Sequence, residues 1–364
     1  MGLLRLVPPG ARGDLESRLR SVFAQMAAEE PRILVGALPF DPQGEELLYQ
    51  PASLRSARFT APDAVAGAGP FDQKDMCEVP AAPEYAVMVS RALHMIGAPD
   101  QAPLRKVVLS RRVVLEHADR PDYDRLLSVL SADPDVTTYR VDLDPAGTGD
   151  DHLLMGATPE LLVSRDGDRV VSEPLAGSLP RGRDPVQDRE RAAALLASDK
   201  DRREHRITVE YILDLLAPLC SDLRTPGGMG LRSTMTMWHL GTRIEGTLKQ
   251  DAPSAVALAA MLHPTPAVGG HPREAALEAI RELEPHDRGF YAGAVGHVDE
   301  RGDGEWHVAL RCAQVGGSRI TLHAGAGIVE GSVPESEVHE TAAKFRAMLR
   351  ALGSQDAPRR AKAS

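Results

Sequence analysis

Two groups of short apolar segments, joined by glycine-containing turns, limit the folds open to this chain more than any other feature. In the first group, residues 161–163 and 170–171 flank Asp166-Gly167. That dipeptide is typical of tight hairpin turns and therefore favours antiparallel pairing. The second group repeats the pattern around Gly302-Asp303-Gly304 and Gly316-Gly317, and its segments are 291–299, 305–315 and 318–324.

Helical patterns occupy the chain between and beside these groups, at about 188–219 and 271–283. A sheet with one apolar face must bury that face against another layer. The sequence therefore predicts an α+β fold, a single large domain of two stacked antiparallel β-sheets flanked by helices. The chain has 364 residues, 43% of them apolar, which is enough to fill such a core.

We expect one domain over residues 1–364, because no low-complexity linker divides the chain. The Pro- and Ala-rich residues 1–80 are weakly patterned and form its looser N-terminal part. Residues 100–350 form the core region, and the short basic tail at 354–364 is expected to fray.

The charge and the apolar segments exclude several classes of protein. The formal net charge of −10 disfavours nucleic-acid binding, since the phosphate backbone is itself negative. No secretory pattern opens the chain and no apolar stretch is long enough to cross a membrane, so no membrane partner is expected. The three cysteines are far apart and predict neither a disulfide framework nor a zinc site. We therefore expect a soluble cytoplasmic protein.

A carboxylate lies on the apolar side of a helix that starts near Asp201. Ile207, Tyr211 and Leu215 form a stripe at spacing of four, and Glu204 continues it toward the helix start. A buried carboxylate needs a partner, because an unpaired buried charge is costly. Two interpretations stay open: a salt bridge with an arginine, or a metal-binding or catalytic role.

The last helix carries a second acidic feature. Glu337 and Glu340 lie three residues apart on one face, and Lys344 follows four residues after Glu340. One interpretation is a solvated face with an ion pair. The other is a set of oxygen ligands for a hard cation such as magnesium, which takes one or two protein carboxylates and fills its other sites with water and substrate.

A lysine opens an apolar strand at residues 106–111. Alternation places Lys106, Val108 and Ser110 on one face of that strand. Lys106 could be a snorkelling lysine at a sheet edge. Alternatively, burial favours the neutral amine, which could act as a base.

Other candidate residues are weaker on their own. Gly325 lies in a glycine-rich segment after a strand, and Gly177 with Ser178 lies in another. Exposed backbone N–H groups in such segments can bind an anion. Glu160 at a strand start is uninformative by itself, and His239 would ordinarily be a core histidine with its hydrogen bonds satisfied.

Taken in order, these features resemble the chorismate-utilising enzyme family, and within it the isochorismate synthases of catecholate siderophore pathways. The resemblance is continuous from about residue 100 to 350. The matching stretches are Lys106–Arg111, Gly156–Leu162, Pro174–Ser178, Leu196–His205, Trp238–Leu240, His263–Ala267, Glu282–Pro285, Gly304–Trp306, Arg311-Cys312, Ala324–Ile328 and Glu340-Thr341.

The resemblance implies the fold predicted above and assigns roles within it. It implies that Glu204 and Glu340 are Mg²⁺ ligands, with Glu337 in direct or water-mediated support. The metal would hold the ring carboxylate of chorismate. Further substrate contacts implied are Arg311 and the backbone N–H groups of Gly177 and Gly325 as a carboxylate clamp, Lys344 beside the metal, and His239 in the active site.

The implied chemistry requires one base and one acid. Isochorismate forms when water attacks C2 of the chorismate diene and the C4 hydroxyl leaves. Water is a poor nucleophile and hydroxide is a poor leaving group, so a proton must be removed on one side and supplied on the other. By resemblance, a neutral Lys106 takes the proton from water and a protonated Glu160 gives one to the departing hydroxyl.

Particular residues separate the activities of this family. Lys106 argues against anthranilate synthases, which carry glutamine there, and Ala176 stands where aminodeoxychorismate synthases carry a lysine nucleophile. No glutaminase partner is therefore expected, and relatives suggest a monomer. Salicylate synthase is the alternative activity, since it differs by pocket shape. A non-catalytic chorismate-binding protein is a further alternative. Candidate pocket-lining residues are Ala267, Val268, Tyr291 and Leu310.

Overall fold

The computed structural model describes residues 3–10, 12–56, 73–97, 104–117, 122–147 and 152–352. The expected frayed tail at 354–364 lies outside the described residues, as do residues 57–72 of the predicted N-terminal part. Within the described ranges the prediction of an α+β fold is correct, and every pair of neighbouring strands is antiparallel.

Eight helices and nineteen strands form the described part of the chain. None of these helices is long and apolar enough to cross a membrane. The helices are α1 Leu15–Ala24, α2 Ala82–Ile96, α3 Tyr123–Leu130, α4 Pro185–Ala197, α5 Asp199–Leu216, α6 Ala255–Leu262, α7 Arg273–Leu283 and α8 Pro334–Ala351. The strands are β1 Leu3–Leu6, β2 Ile33–Leu38, β3 Leu47–Pro51, β4 Gln73–Val79, β5 Lys106–His117, β6 Thr137–Asp142, β7 His152–Thr158, β8 Leu161–Asp166, β9 Arg169–Glu173, β10 Leu175–Pro180, β11 Cys220–Arg224, β12 Met229–Ser233, β13 Met237–Thr242, β14 Ile244–Leu248, β15 Gly270–His271, β16 Ala294–Asp299, β17 Gly304–Val308, β18 Cys312–Gly316 and β19 Arg319–Val329.

The strands form two large sheets and one small sheet. The nine-stranded sheet has the order β1-β3-β2-β16-β17-β8-β9-β14-β11, so the N-terminal strands extend it directly. The seven-stranded sheet has the order β15-β5-β19-β18-β7-β6, with β4 also paired to β5. The three-stranded sheet, β10-β13-β12, was not predicted. It continues the hairpins of the nine-stranded sheet, since β10 follows β9 and β13 leads into β14.

One hydrophobic core lies between the two large sheets. It includes Leu38 and Val163 from the nine-stranded sheet together with Leu109 and Ile328 from the seven-stranded sheet. A second core fills the other face of the seven-stranded sheet, where α3 and α8 pack with side chains such as Phe345. These two cores confirm the prediction of stacked sheets with helices outside.

The helix predicted at 188–219 is two helices. The chain turns at Ser198, which caps α5 by accepting a hydrogen bond at Oγ from the backbone N–H of Asp201 at 3.3 Å. Prediction from periodicity missed this break because both helices are amphipathic and only one residue separates them. The new helix start sets the direction in which α5 presents its side chains.

The buried face of α5 also differs from the predicted stripe. Glu204 is buried as expected, but the residues that share its face are Thr208, Ile212 and Leu216. Ile207, Tyr211 and Leu215 are only partly buried. The physical reason is that α5 packs against two different layers, so its apolar surface is wider than one stripe.

The strand predicted at 305–315 is two strands in different sheets. β17 belongs to the nine-stranded sheet and β18 to the seven-stranded sheet, and the chain crosses between them at residues 309–311. At the crossing, Arg311 has a φ of 46°, a left-handed conformation that is uncommon for residues other than glycine. Such backbone strain is found preferentially at functional sites.

Candidate active site

Most of the residues proposed from sequence surround one cavity between the sheets, α5 and α8. Its empty volume is about 930 Å³, including its opening to solvent. This is within the range of small-molecule sites, roughly 300–1,000 Å³. The predicted residues that line it are Glu160, Gly177, Ser178, Glu204, His239, Ala267, Val268, Tyr291, Leu310, Arg311, Gly325, Glu340 and Lys344.

Two predicted residues lie behind the cavity wall. Lys106 has no exposed side-chain surface, and its ammonium nitrogen is 3.0 Å from Oε1 of Glu204. Glu337 is 1% exposed, and its Oε1 accepts a hydrogen bond at 2.7 Å from the ammonium of Lys200. Both therefore reach the cavity only through neighbouring groups.

Lys106 is not at a sheet edge, so the snorkelling interpretation is wrong. β5 is flanked at this residue by β15, where His271 is its partner, and by β19, where Val329 is its partner. Lys106 is fully buried, and a charged group so placed needs a partner. Glu204 provides it. The ion pair that the sequence left open at Glu204 is therefore formed with a lysine and not with an arginine.

A glycine in β19 makes room for this ion pair. A Cβ atom built on Gly327 would lie 2.3 Å from Oε1 of Glu204, so a larger residue would push the carboxylate away. Gly177 serves a similar purpose on the other side of the cavity. It has a φ of 76° at a register shift between β10 and β13, and a Cβ atom there would lie 2.9 Å from the side chain of Asp201.

Each of the three acidic residues proposed as metal ligands is paired with its own lysine. Lys344 on α8 donates to Oε1 of Glu340 and to the carbonyl of Gly325, both at 2.7 Å. Ser178 donates to the same Glu340 oxygen at 3.1 Å. Burial raises the pKa of Glu337, although the charge of Lys200 acts in the opposite direction. Lys200 was not identified from the sequence as a site residue, although it lies one turn before Glu204 within the family stretch Leu196–His205.

The residues present fit a two-carboxylate cation site. Within the described ranges, no three histidine, cysteine, aspartate or glutamate side chains converge closely enough to hold a metal unaided. Glu204 and Glu340, however, both face the same cavity. Two carboxylates are what magnesium ordinarily takes from a protein, with water and substrate oxygens completing its shell.

Glu160 lies between β7 and β8, and only 2% of its surface is exposed. Burial raises the pKa of its carboxyl group from 4.5 to about 8, despite a hydrogen bond from the backbone of Leu175 and the charges of Lys106 and Lys344. Glu160 therefore keeps its proton near neutral pH. A carboxylic acid in this state can donate a proton to a leaving group.

His239 and Arg311 form a polar pair across the cavity. Burial holds the pKa of His239 well below its usual value, and the charge of Arg311 and Lys344 lowers it further. The neutral ring accepts a hydrogen bond at Nε2 from Nη2 of Arg311 at 2.7 Å, and it also hydrogen-bonds to the backbone of Gly177. Through this hydrogen bond His239 is placed to orient Arg311 toward the cavity.

A buried ion pair that the sequence analysis did not identify fixes one wall of the cavity. Arg288 contacts Glu284 four residues earlier, and it donates to the carbonyls of Val108 and Val268 at 2.6 and 2.9 Å. Glu284 in turn accepts from the backbone N–H of Ser110 at 2.6 Å. The spacing of four on a short segment was the available signal, but it is also common on solvated helices.

Comparisons with known proteins agree with this site. A family model described as chorismate binding enzyme matches residues 50–353. MenF of Mycobacterium tuberculosis (strain H37Rv) is 44% identical over 357 residues, which are 94% of this chain and 95% of that protein. The isochorismate synthase DhbC of Bacillus subtilis (strain 168) is 42% identical over 355 residues, covering 94% of this chain and 85% of that protein.

A solved structure extends the similarity to the fold. The crystal structure of DhbC from Bacillus anthracis has a TM-score of 0.88 with this chain at 39% identity, and it covers 97% of this chain and 92% of its own. The residues matched by the family model, 50–353, include every residue that lines the cavity. The chain therefore belongs to the chorismate binding enzyme family.

Proposed function

We propose that this protein is an isochorismate synthase, an enzyme that converts chorismate to isochorismate. The observation that carries the proposal is the protonated carboxyl of Glu160 in a cavity that also holds Arg311 and Lys344. An acid is needed to expel the C4 hydroxyl, and cations are needed to bind a dicarboxylate substrate. Family membership over most of the chain supports the substrate class.

The proposed reaction divides proton transfer between two buried groups. Water attacks C2 of the ring, the double bond shifts, and the C4 hydroxyl leaves with a proton from Glu160. Lys106, as the neutral amine, takes the proton of the attacking water and later releases it to solvent, while Glu160 regains a proton for the next turnover. Because the lysine nitrogen lies behind the cavity wall, 3.0 Å from Oε1 of Glu204, that carboxylate must move aside before the water can reach the amine.

Substrate binding in the proposal uses both ends of the cavity. Arg311 is partly buried, and burial lowers its pKa to about 10, which leaves the guanidinium charged at neutral pH. A charge removed from water in this way interacts strongly with a carboxylate. Lys344, Gly177 and Gly325 lie on the remaining wall, where the resemblance places the second carboxylate of chorismate.

We further propose that the enzyme uses Mg²⁺. Glu204 and Glu340 would hold it, and Glu337 would support it from behind through its pairing with Lys200. When bound, the metal would orient the ring carboxylate and offset its charge. Between turnovers, the ion pairs with Lys106, Lys200 and Lys344 would hold the three carboxylates in place.

Incubation with chorismate and magnesium, followed by chromatographic separation of products, tests the activity. Isochorismate alone supports the proposal. Salicylate with pyruvate would show a salicylate synthase instead. Unconsumed chorismate would support the alternative of a non-catalytic chorismate-binding protein. Glu160→Gln is the matched control, since the amide keeps the shape of the side chain but cannot serve as the acid.

We further propose the setting in which the enzyme acts. We expect it to be cytoplasmic and monomeric. No glutaminase partner is expected, because water is the nucleophile and no nitrogen enters the product. Addition of glutamine or ammonia should leave the product unchanged, and gel filtration should give the mass of one chain, 39.1 kDa. We expect the isochorismate to enter siderophore synthesis.

A further inference from the structure

The two helices that carry the proposed metal carboxylates pack mainly on different parts of the protein. α5, which carries Glu204, packs on β10 and β13, whereas α8, which carries Glu340, packs on β19 and α2. Both carboxylates face the cavity that lies between these helices. A cation held by both residues therefore depends on how far apart the two helices stand.

An ion pair joins the two helices one turn before the carboxylates. The ammonium of Lys200, in the first turn of α5, donates to Oε1 of Glu337 on α8 at 2.7 Å. Lys200 lies four residues before Glu204 and shares its helix face. Glu337 lies three residues before Glu340 and likewise shares its face. This Lys200–Glu337 bridge is therefore about 4.5–6 Å from each carboxylate-bearing residue along its helix.

The position of Lys200 is not explained by the helix in which it lies. A helix start favours acidic side chains, because the backbone N–H groups there carry partial positive charge. Asp199 and Asp201 follow this preference, and Lys200 between them opposes it. The side chain of Lys200 is 31% exposed, so it does not fill the core. The contact with Glu337 accounts for a lysine at this position.

The other end of the bridge is enclosed by protein. Only 1% of Glu337 is exposed. Burial disfavours the charge of Lys200, but the carboxylates of Glu337, Glu204 and Glu340 together raise its pKa, so the lysine stays charged. Buried ion pairs often add little stability and can instead fix one arrangement of neighbouring elements.

The bridge differs from the other polar contacts of the two carboxylates. Lys344 and Ser178 both donate to Oε1 of Glu340, which is an oxygen that a cation would need. Lys106 engages Oε1 of Glu204 in the same way. The Lys200–Glu337 bridge uses no oxygen of Glu204 or Glu340. It can therefore persist when those two carboxylates hold a cation.

Magnesium is more sensitive than calcium to the spacing of its ligands. It requires near-octahedral geometry with ligand distances of about 2.0–2.1 Å, whereas calcium accepts irregular shells at about 2.3–2.6 Å. A bridge that fixes the separation of the two helices therefore matters more for magnesium.

We propose that Lys200 is a positioning residue, which sets the separation of Glu204 and Glu340 by bridging α5 to α8 and so favours the binding of magnesium. This inference rests on the proposal that the enzyme uses Mg²⁺. Lys200 acts through Glu337 and does not contact the reacting atoms. Its loss should therefore change the affinity for the cation, and kcat at saturating magnesium should stay within about twofold of wild type.

Lys200→Met removes the bridge and tests this role. Titration calorimetry with magnesium chloride should give a Kd about 10–100-fold above that of wild type. With calcium chloride the Kd should rise less than about threefold. The direction of the change is informative, because loss of a positive charge beside the carboxylates would by itself strengthen cation binding. Lys200→Arg keeps the bridge and should retain most of the magnesium affinity.

Two further variants control for charge, folding and position. Lys200→Met combined with Glu337→Gln removes both charges and leaves no unpaired buried charge, so it carries the test if a thermal melt shows Lys200→Met unfolded. Its loss of magnesium affinity should again exceed its loss of calcium affinity, whereas loss of a ligand would weaken calcium binding as well. Arg91→Met breaks an exposed ion pair between α2 and α7, with Glu282, and should behave as wild type.

The opposite results would overturn the inference. If Lys200→Met binds magnesium as tightly as wild type or more tightly, or if the Kd values for both cations rise equally, the bridge does not set the spacing. The wild type separates this failure from failure of the proposed cofactor. A wild type that neither binds magnesium nor needs it for conversion would overturn both proposals. A wild type that needs magnesium, with a Lys200→Met variant that matches it, would overturn the bridge alone.

Discussion

The protonation of Glu160 gives the sharpest prediction, because it links a buried carboxyl group to a measurable pH profile. Its pKa of about 8 arises mainly from burial, and kcat/KM reports the ionisation of groups in the free enzyme. With that pKa, about 90% of the molecules hold the proton at about pH 7 and about 10% at about pH 9. We therefore expect kcat/KM for chorismate to fall about tenfold between these values.

Measurement of initial rates across this range, with magnesium saturating, provides the assay. Glu160→Gln should lose about 10²–10⁴ in kcat, and its residual activity should lack the alkaline decline. A wild-type profile that stays flat to about pH 9, or a Glu160→Gln variant with normal turnover, would refute the role of Glu160 as the acid.

The same ionisation predicts a change in stability, whose sign follows from linkage. The folded-state pKa is above the ordinary value of 4.5, so the folded protein holds the proton more tightly than the unfolded chain. This contribution is complete below about pH 4.5 and is lost as the pH rises through about 8. Glu160→Gln cannot ionise, so above about pH 8 it should be more stable than wild type, by an amount on the order of a few kcal/mol. Chemical denaturation of wild type and variant below about pH 4.5 and above about pH 8 measures this difference in unfolding free energy. A variant that is less stable than wild type at the higher pH would contradict the prediction.

Further variants test other parts of the site. Lys106→Ala should abolish conversion while circular dichroism stays native, and normal turnover would exclude Lys106 as the base. Glu204→Ala or Glu340→Ala should sharply weaken the response to magnesium, so unchanged magnesium titrations would count against both as ligands. Arg288→Met leaves Glu284 buried without its partner and should cost about 3–5 kcal/mol in urea denaturation, whereas the double variant with Glu284→Gln should regain part of that loss.

Several features of the fold could be predicted from the residues because they depend on local patterns. Asp166-Gly167 and the glycines near residue 316 place hairpins where the structure has them. The burial of Glu204 was also predicted from the helical repeat, although Glu204 shares its face with Thr208, Ile212 and Leu216 and not with the predicted stripe. Such patterns are set by residues close in sequence, and tertiary packing had only to preserve them.

Other features depend on contacts between distant parts of the chain. The partner of Glu204 is 98 positions away, at Lys106, and that of Glu337 is 137 positions away, at Lys200. Many arginines and lysines were equally plausible partners from the sequence. The choice follows from which strands pair in the seven-stranded sheet and how α5 and α8 approach it.

The break at residues 309–311 shows the same limit in the backbone. An apolar run through this region satisfies the pattern of one strand, so the sequence analysis joined β17 to β18. Only the stacking of two sheets requires the chain to leave one and enter the other there. The left-handed conformation of Arg311 is a consequence of that crossing.

The sequence by itself determined the fold class, the membership of a chorismate-utilising family, and the residue types available for acid, base and cation binding. The tertiary structure decided which of them meet. It placed Glu160 in an environment that holds its proton, paired each proposed metal carboxylate with a lysine, and linked α5 to α8 through Lys200 and Glu337. These outcomes depend on burial and on distances between groups far apart in sequence, and both are fixed only when the sheets stack.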